Sequence, residues 1–241
     1  MVGAARVIGD LKVLAVIPAR AGSVGLPDKN IRSFRGKPLL AWTVDAAKTC
    51  EYIDRVVLST DSQNYADIAQ QCGIETPFLR PEHLSGSNAS LINVLQHVVS
   101  ELKSNGEEFD VLICLQPTSP LRTAIHIKQA LELFQSITDP DKNIASVYEL
   151  PQKFAWVLQA NKQGQLRFLD SSLQSQNNYR RQQNSAIYMP NGAIFIMQTA
   201  KIISQYTDHT YPYIMPLQAS ADIDTLEDFR AAELAQTDHY V

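Results

Sequence analysis

Residues 13–30 read VLAVIPARAGSVGLPDKN, a short apolar run that passes directly into a loop of small and charged residues. The run shows no polar alternation, which predicts a strand buried on both faces, as in a parallel sheet. The loop leaves the carboxyl end of that strand. Ligands of open α/β sheets bind at this end. The stretch therefore predicts a fold class and the position of a site.

Apolar runs of the same kind recur along the chain, at residues 56–58, 111–115, 144–148 and 193–197. Helical periods separate most of them, with predicted helix starts at Pro38, Ser62, Asn88 or Ser90, and Thr123. Gly73 is expected to end the second helix, and residues 226–234 to form the last one. Strands that alternate with helices of this length predict a doubly wound, mostly parallel α/β sheet.

Residues 151–188 break this alternation. They are rich in Gln, Asn and Ser, and a turn signal, NKQG, separates two short apolar stretches. This pattern predicts a protruding hairpin and loop rather than a βαβ unit. The segment is a candidate dimerisation insert, with a solvated surface loop as the alternative.

Composition narrows the function classes. The chain has 241 residues, 21 Lys plus Arg and 25 Asp plus Glu, for a formal net charge of -4. That balance predicts that the protein binds neither nucleic acid nor an anionic membrane surface. Cys50, Cys72 and Cys114 show no metal-ligand spacing and are expected to be reduced thiols. Without a signal peptide or a spanning segment in the sequence, we expect a cytoplasmic protein.

The first loop has the composition of a phosphate cradle. Gly22 and Gly25 let the backbone approach a ligand closely, so that successive N–H groups can face phosphate oxygens. Arg20 and Lys29 add positive charge. The loop contains neither GxGxxG nor Gly-Lys-Ser/Thr, which excludes the dinucleotide fingerprint and the P-loop. We therefore predict that a triphosphate binds at Ala19, Arg20, Ala21, Gly22, Ser23, Lys29 and Asn30.

Asp222 and Asp224 are separated by one residue, and on an extended segment their side chains face the same way. Two carboxylates on one face suit Mg²⁺, the predicted cofactor. The alternative is a cap at the start of the last helix, where Thr225 and Asp224 favour the helix N-terminus. Asp222 is also a candidate acceptor for a substrate proton.

Seven motifs in order resemble those of the acylneuraminate cytidylyltransferases, the CMP-sialic acid synthetases. The first is the loop PARAGSVGLPDKN. The others are LSTD (58–61), LRPEHL (79–84), LQPTSPLR (115–122), YRRQQ (179–183), PNGAIF (190–195) and DIDT (222–225). The resemblance implies one Rossmann-like nucleotidyltransferase domain over residues 1–241, with 151–188 as a dimerisation insert.

The resemblance also implies residue roles. Arg80, Ala89 and Ser90 would lie near the cytosine. Gln116 and Asn191 would contact the sugar, and Arg181 would reach across a homodimer to the sugar carboxylate, a task that suits a guanidinium. Asp222 and Asp224 would hold the metal, while Arg20 and Lys29 would act catalytically with them. Lys153 matches only loosely, and Arg122 has a structural ion pair as its alternative role.

Three positions depart from the family pattern. Val24 stands where the family usually has a cation, Ser87-Asn88 where it has Asp-Thr, and Met189 where it often has Arg. The expected reaction joins CMP from CTP to the anomeric hydroxyl of a sialic-acid-like nonulosonic acid and releases pyrophosphate. Alternatives are a legionaminic, pseudaminic or eight-carbon 2-keto-3-deoxy sugar acid as substrate, or a CTP or CMP-sugar sensor without turnover. Retention of both carboxylates in DIDT argues against the sensor.

Overall fold

The structure, a computed structural model of the 241-residue chain, describes residue 9 and residues 11–22, 25–169 and 186–235. The strands in chain order are β1 (Val13–Pro18), β2 (Ser33–Phe34), β3 (Lys37–Pro38), β4 (Arg55–Ser59), β5 (Val111–Cys114), β6 (Asn143–Leu150), β7 (Leu158–Ala160), β8 (Leu166–Phe168), β9 (Ile187–Gln198) and β10 (Thr210–Ile214). The helices are α1 (Leu39–Thr49), α2 (Gln63–Gln71), α3 (Leu91–Ser104), α4 (Ala124–Ser136) and α5 (Leu226–Leu234).

Six strands form the central sheet in the order β10-β6-β9-β5-β1-β4. β1 runs parallel to β4 and β5, and β6 runs parallel to β10. Only β9, among the described strands of this sheet, is antiparallel to its neighbours. The mostly parallel α/β fold predicted from the sequence is confirmed. The carboxyl ends of β1, β4 and β5 meet at one edge of the sheet, where loops can form a cleft.

Helices cover both faces of the sheet, because its central strands are apolar on both sides. Residues 13–17 of β1 are fully buried. One core joins the sheet to α1, α2 and α4, and a second joins it to α3. A third, smaller core packs α5 against Leu26, Phe34, Leu121 and Ile223. This last core supports both the first loop and the DIDT segment from behind.

The predicted helix boundaries are largely confirmed. Ser62 caps α2 by accepting a hydrogen bond from the Tyr65 N–H, and Gly73 follows that helix with φ +78°. Thr123 and His126 form a capping box at α4, and α5 spans the predicted residues. Ser90 occupies the cap position of α3, but its side chain makes no capping hydrogen bond.

Residues 158–168 form an antiparallel hairpin in which β7 pairs with β8 across a turn at Asn161 to Gly164. Trp156 and Phe168 meet edge to face at 6.2 Å between ring centroids. Leu158 and Leu166 are 47% and 67% exposed. The hairpin therefore carries apolar side chains that the described part of the chain leaves exposed. Its role in dimerisation stays a prediction.

None of the helices in the described part of the chain has the length and apolar character needed to cross a bilayer.

Candidate active site

A cleft of about 510 Å³ opens at the carboxyl ends of β1, β4 and β5. Its size is within the range of small-molecule sites. Seven of the predicted site residues line it, namely Arg20, Lys29, Asn30, Arg80, Ala89, Gln116 and Asp224. We call the first loop, residues 59–61 and Arg80 the nucleotide half. Gln116, Arg122, residues 190–193 and Asp222 form the sugar half.

The first loop is folded tightly against the DIDT segment. The Asn30 side-chain amide donates to the Arg20 carbonyl at 3.3 Å and closes the loop on itself. A Cβ at Gly25 would lie 2.7 Å from the Asp224 carbonyl oxygen, a distance that real Cβ atoms essentially never show. Glycine is required at this position because the backbone of the DIDT segment passes so close.

Lys29 joins the same two segments. Its Nζ donates to Asp224 Oδ1 at 2.9 Å and also to the Ile223 carbonyl. The Lys29 side chain is 10% exposed, whereas that of Asp224 is 76% exposed. The ammonium is therefore fixed within the protein, while the carboxylate faces the cleft. Solvent around Asp224 screens the pair, so its main consequence is position rather than stability.

Asp222 and Asp224 are both exposed, and Ile223 between them is fully buried, as an extended segment requires. Although Asp222 is exposed as a residue, the surrounding protein partly desolvates its carboxylate and raises its pKa; a hydrogen bond with Thr118 opposes the rise, and the charge of Asp224 adds to it. Two neighbouring carboxylates on one face, already attracting an ammonium, fit a hard divalent cation. The described residues hold no cluster of three or more His, Cys, Asp or Glu that would close a metal site. Mg²⁺ typically binds one or two carboxylates and completes its shell with phosphates and water.

Arg80 is 7% exposed and is aimed by Ser59. Its Nε donates to Ser59 Oγ at 3.1 Å and its Nη2 to the Ser59 carbonyl at 2.6 Å. Burial lowers the pKa of Arg80, the charge of Asp61 raises it, and that of Arg20 lowers it. Ala89 and Ser87 line the cleft beside it, whereas Ser90 begins α3. Arg80 is therefore a rigid cation at the wall of the cleft.

Gln116, Gly192 and Asp222 converge in the sugar half. A Cβ at Gly192 would lie 3.4 Å from Asp222 Oδ2 and 3.5 Å from Gln116 Oε1, and its φ is +68°. That left-handed conformation favours glycine. The amide of Gln116 and the carboxylate of Asp222 thus both lie next to Gly192; the sequence predicts a sugar contact for Gln116 and a metal contact for Asp222.

Asn191, predicted to contact the sugar, is 2% exposed and its amide is occupied by the protein. Its Nδ2 donates to Ser220 Oγ at 2.9 Å, and its Oδ1 accepts from the Ser146 hydroxyl and from the Ala193 N–H. These bonds fix the irregular stretch of β9 that carries Gly192. In this arrangement the side chain shapes the sugar half from within.

Arg122 lies beneath the sugar half at 2% exposure. Its Nη1 donates to the Gln116 carbonyl at 3.1 Å and to the Ala193 carbonyl at 2.9 Å. Its Nε and Nη2 have no hydrogen-bond partner within the described residues. Burial lowers the pKa of Arg122 to about 9, a change that Cys114 opposes. A charged guanidinium thus links the end of β5 to β9, and no carboxylate among the described side chains pairs with it.

Lys153 is not among the residues that line the cleft, and three other residues singled out in the sequence are not described. Ser23, Val24 and Arg181 lie outside the described residues. Lys153 lies in a 3₁₀ turn at Gln152–Trp156, with its Nζ 5.7 Å from the Phe154 ring centroid. Conversely, Ser59 contacts Arg80 and Asp61 contacts the first loop, although no role was predicted for either residue. Their motif, LSTD, was the available signal.

The chain is similar to known cytidylyltransferases over most of its length. A sequence model of the family described as Cytidylyltransferase matches residues 14–234. The chain is 36% identical to an N-acylneuraminate cytidylyltransferase of Streptococcus agalactiae serotype V over 224 residues, 91% of this chain and 52% of that protein. It therefore spans about half the length of that relative. It is also 36% identical to a CMP-N,N'-diacetyllegionaminic acid synthase of Legionella pneumophila, over 92% of this chain and 95% of that protein.

Solved structures support the fold. A CMP:2-keto-3-deoxy-manno-octonic acid synthetase complexed with CTP superposes with a TM-score of 0.67 at 16% identity, covering 92% of this chain and 97% of that one. A 4-diphosphocytidyl-2C-methyl-D-erythritol synthase from Anaerococcus prevotii superposes with a TM-score of 0.62.

Proposed function

The chain belongs to the cytidylyltransferase family, and from that premise we propose that it transfers CMP from CTP to the anomeric hydroxyl of a nonulosonic acid and releases pyrophosphate. The observation that carries the proposal is the single cleft into which Arg20, Lys29, Asn30, Arg80 and Asp224 converge from distant parts of the chain. Cations and the Asp224 carboxylate in one cleft, with Asp222 two positions away on the same segment, suit a nucleoside triphosphate with its metal.

The chain's own residues supply positioning and charge. Arg20 and the backbone of the first loop would hold the triphosphate, and Arg80 would meet the base beside Ala89. Gln116 would orient the sugar so that its hydroxyl attacks the α-phosphorus in line with the departing pyrophosphate. Asp222 and Asp224 would hold Mg²⁺, which neutralises charge on the phosphates when bound. Catalysis of this kind rests on orientation and preorganised charge.

We also propose that the working unit is a homodimer. The exposed leucines of the β7–β8 hairpin support an interface there, because a two-stranded hairpin is marginally stable alone. A two-fold pairing of hairpins would bury them and bring Arg181 to the partner's sugar half.

The free state of all three cysteines agrees with a cytoplasmic setting.

Legionaminic acid is the favoured alternative substrate, on two observations. The Legionella relative is matched over nearly its whole length at the same identity as the N-acylneuraminate enzyme. In addition, Met189, 42% exposed beside the PNGA turn, stands where the family often has Arg. An apolar thioether there would favour a less polar part of the sugar.

Pyrophosphate release from CTP and Mg²⁺ tests the proposal directly. The panel consists of N-acetylneuraminic acid, N,N'-diacetyllegionaminic acid, pseudaminic acid and an eight-carbon 2-keto-3-deoxy acid. Release with at least one nine-carbon acid is expected, and the highest kcat/KM identifies the substrate. CTP binding without release from any acid would instead support the sensor, and no CTP binding would refute both.

A further inference from the structure

Residues 59–61, the end of the LSTD motif, connect the two parts of the nucleotide half. The Ser59 carbonyl accepts a hydrogen bond from the Ala19 N–H at 2.9 Å, at the start of the first loop. The Thr60 carbonyl accepts one from the Arg80 N–H at 2.7 Å. One short segment therefore contacts both the loop expected to hold phosphate and the arginine expected near the base.

Asp61 extends this connection with a charged group. Its Oδ1 accepts a hydrogen bond from the Ala21 N–H at 2.9 Å, across 40 positions of sequence. Ala21 lies directly between Arg20 and Gly22, so the bond fixes the loop where it turns. A carboxylate that accepts a backbone N–H makes a stronger bond than a neutral acceptor. The Ala21 N–H, one of the predicted phosphate donors, is thereby already engaged.

Capping does not account for the orientation of Asp61. The cap of α2 is Ser62, whose hydroxyl accepts the Tyr65 N–H at 3.4 Å. The carboxylate of Asp61 points instead to the first loop, and its negative charge raises the pKa of Arg80. It thus lies within electrostatic reach of the cleft as well as in contact with the loop.

The first turn of α2 also holds the far end of the loop. The Tyr65 hydroxyl donates to Asp28 Oδ1 at 3.3 Å, and Asp28 has a φ of +53°, which costs a non-glycine residue some strain. Burial raises the pKa of Tyr65, as does the charge of Asp28, so the hydroxyl keeps its proton. Ala21 and Asp28 are therefore both held by residues at the start of α2, and Gly22 and Gly25 lie between them in sequence.

We propose that Asp61 is a positioning residue that holds the first loop in place for the triphosphate by accepting the Ala21 N–H. This rests on the proposed function, because the ligand of the loop is the triphosphate of CTP. Asp61 does not touch the substrate. Its effect is to keep Arg20 and Ala21 at a fixed distance from Arg80, so that base and phosphates are bound together.

Two substitutions separate the hydrogen bond from the charge. Asp61→Asn keeps an oxygen that can accept the Ala21 N–H, whereas Asp61→Ala removes it. Asp67→Asn is the matched control for charge, since Asp67 lies exposed on α2 and bonds only Gln63 among the described residues. CTP and CMP affinities are measured by calorimetry with Mg²⁺ and without sugar, together with Tm.

Asp61→Ala should weaken CTP binding about tenfold, the size expected for one lost hydrogen bond to a charged group. CMP, which lacks the outer phosphates, should change much less, and Asp61→Asn should stay within about threefold of wild type on this account. Unchanged CTP affinity in Asp61→Ala would overturn the proposal. So would an equal loss for CTP and CMP, or an equal loss in Asn and Ala variants, which would assign the effect to charge.

Arg20→Ala distinguishes this failure from failure of the proposed function. If Arg20→Ala loses CTP affinity and Asp61→Ala does not, only the role of Asp61 is refuted. If both variants bind CTP normally, the first loop is not the triphosphate site and the function proposed for the cleft fails with it.

Discussion

The two halves of the cleft use their polar groups differently. In the nucleotide half, Arg20 lines the cleft and Arg80 is aimed at it by Ser59 from behind. In the sugar half, Asn191 is bonded entirely within the protein and Arg122 is sealed beneath the surface. Among the described residues of the sugar half, Gln116 and Asp222 are the two whose polar groups face open space.

This difference separates the groups that the described residues bring to the cleft from those that they do not. The nucleotide half already contains the cations that a triphosphate needs. The sugar half contains a carboxylate and amides in the described part of the chain, but no accessible cation for a sugar carboxylate. Arg181, expected to supply that charge, lies in the insert outside the described residues. Cations that line the cleft for one substrate, and no accessible cation among the described residues for the other, form the pattern that a contribution from a second subunit would explain.

The largest expected effect is at Asp224, which lines the cleft and pairs with Lys29 of the first loop. Asp224→Asn keeps the side-chain volume but removes one carboxylate from the proposed metal site and the partner of Lys29. We expect kcat/KM to fall on the order of a hundredfold or more, since a metal contributes several kcal/mol to such transition states. The measurement is Mg²⁺-dependent pyrophosphate release.

Asp141→Asn is the matched control for Asp224→Asn. Asp141 forms an ion pair of similar length with Lys201, at 2.6 Å, and it precedes β6, away from the cleft. This variant should keep wild-type turnover. Wild-type turnover in Asp224→Asn as well would exclude the metal assignment.

Arg20→Ala tests the nucleotide half alone. Loss of a guanidinium from the first loop should reduce kcat/KM for CTP roughly ten- to a hundredfold, as expected for a charged hydrogen-bond partner, and should leave KM for the sugar nearly unchanged. Lys103→Ala, which removes the same charge at the exposed end of α3, is the control. A larger change in sugar KM than in CTP KM would show that the two halves have been assigned the wrong way round.

Subunit mixing tests whether the sugar half is completed by a partner. Arg181→Ala and Asp224→Asn are each expected to be inactive, because each removes one group from every site. If Arg181 crosses the dimer, a mixed dimer has one site with both groups intact, and its activity should approach half that of a wild-type dimer. Light scattering verifies the dimer, and subunit exchange is followed separately. Exchange without recovery, or a monomer, would mean that each chain builds its own site.

Local chemistry made much of the fold predictable. The apolar run at residues 13–18 became β1, and Ser62 and Thr123 became caps, because each signal involves residues close in sequence. The predicted strand at residues 193–197 is longer, Ile187–Gln198, because pairing with β6 continues through residues 187–190. That extension depends on a partner some 40 residues away, which local patterning does not show.

The residues of the site that could be predicted from the sequence are those whose side chains face the cleft. The composition of their sequence motifs suggests what the charges of Arg20, Lys29 and Asp224 do. The contact of Asp61 with Ala21 and the buried bonds of Asn191 arise only when distant segments meet. Sequence patterns identify which motifs matter, and tertiary contacts decide which members touch a ligand and which hold the others in place.

The smallest expected effect concerns the floor of the sugar half. Arg122→Lys keeps the positive charge, but it replaces the guanidinium, which donates to two carbonyls, with a single ammonium. Because Nη1 of Arg122 joins the Gln116 carbonyl to that of Ala193, the variant should loosen the end of β5 against β9. Losing one such bond costs about 1–3 kcal/mol. We expect Tm to fall by several degrees and KM for the sugar to rise a few fold.

CTP affinity is the measurement that separates this local effect from general destabilisation. It should stay within about twofold of wild type if Arg122 supports only the sugar half, since the variant alters none of the hydrogen bonds of the first loop. Arg35→Lys is the matched control, because Arg35 also donates to main-chain carbonyls, those of Ala232 and Ala235, but beside α5. It should lower Tm without raising sugar KM. If Arg122→Lys lowers the affinities for CTP and for the sugar equally, Arg122 supports both halves of the cleft. The two halves would then differ only in the exposure of their polar groups.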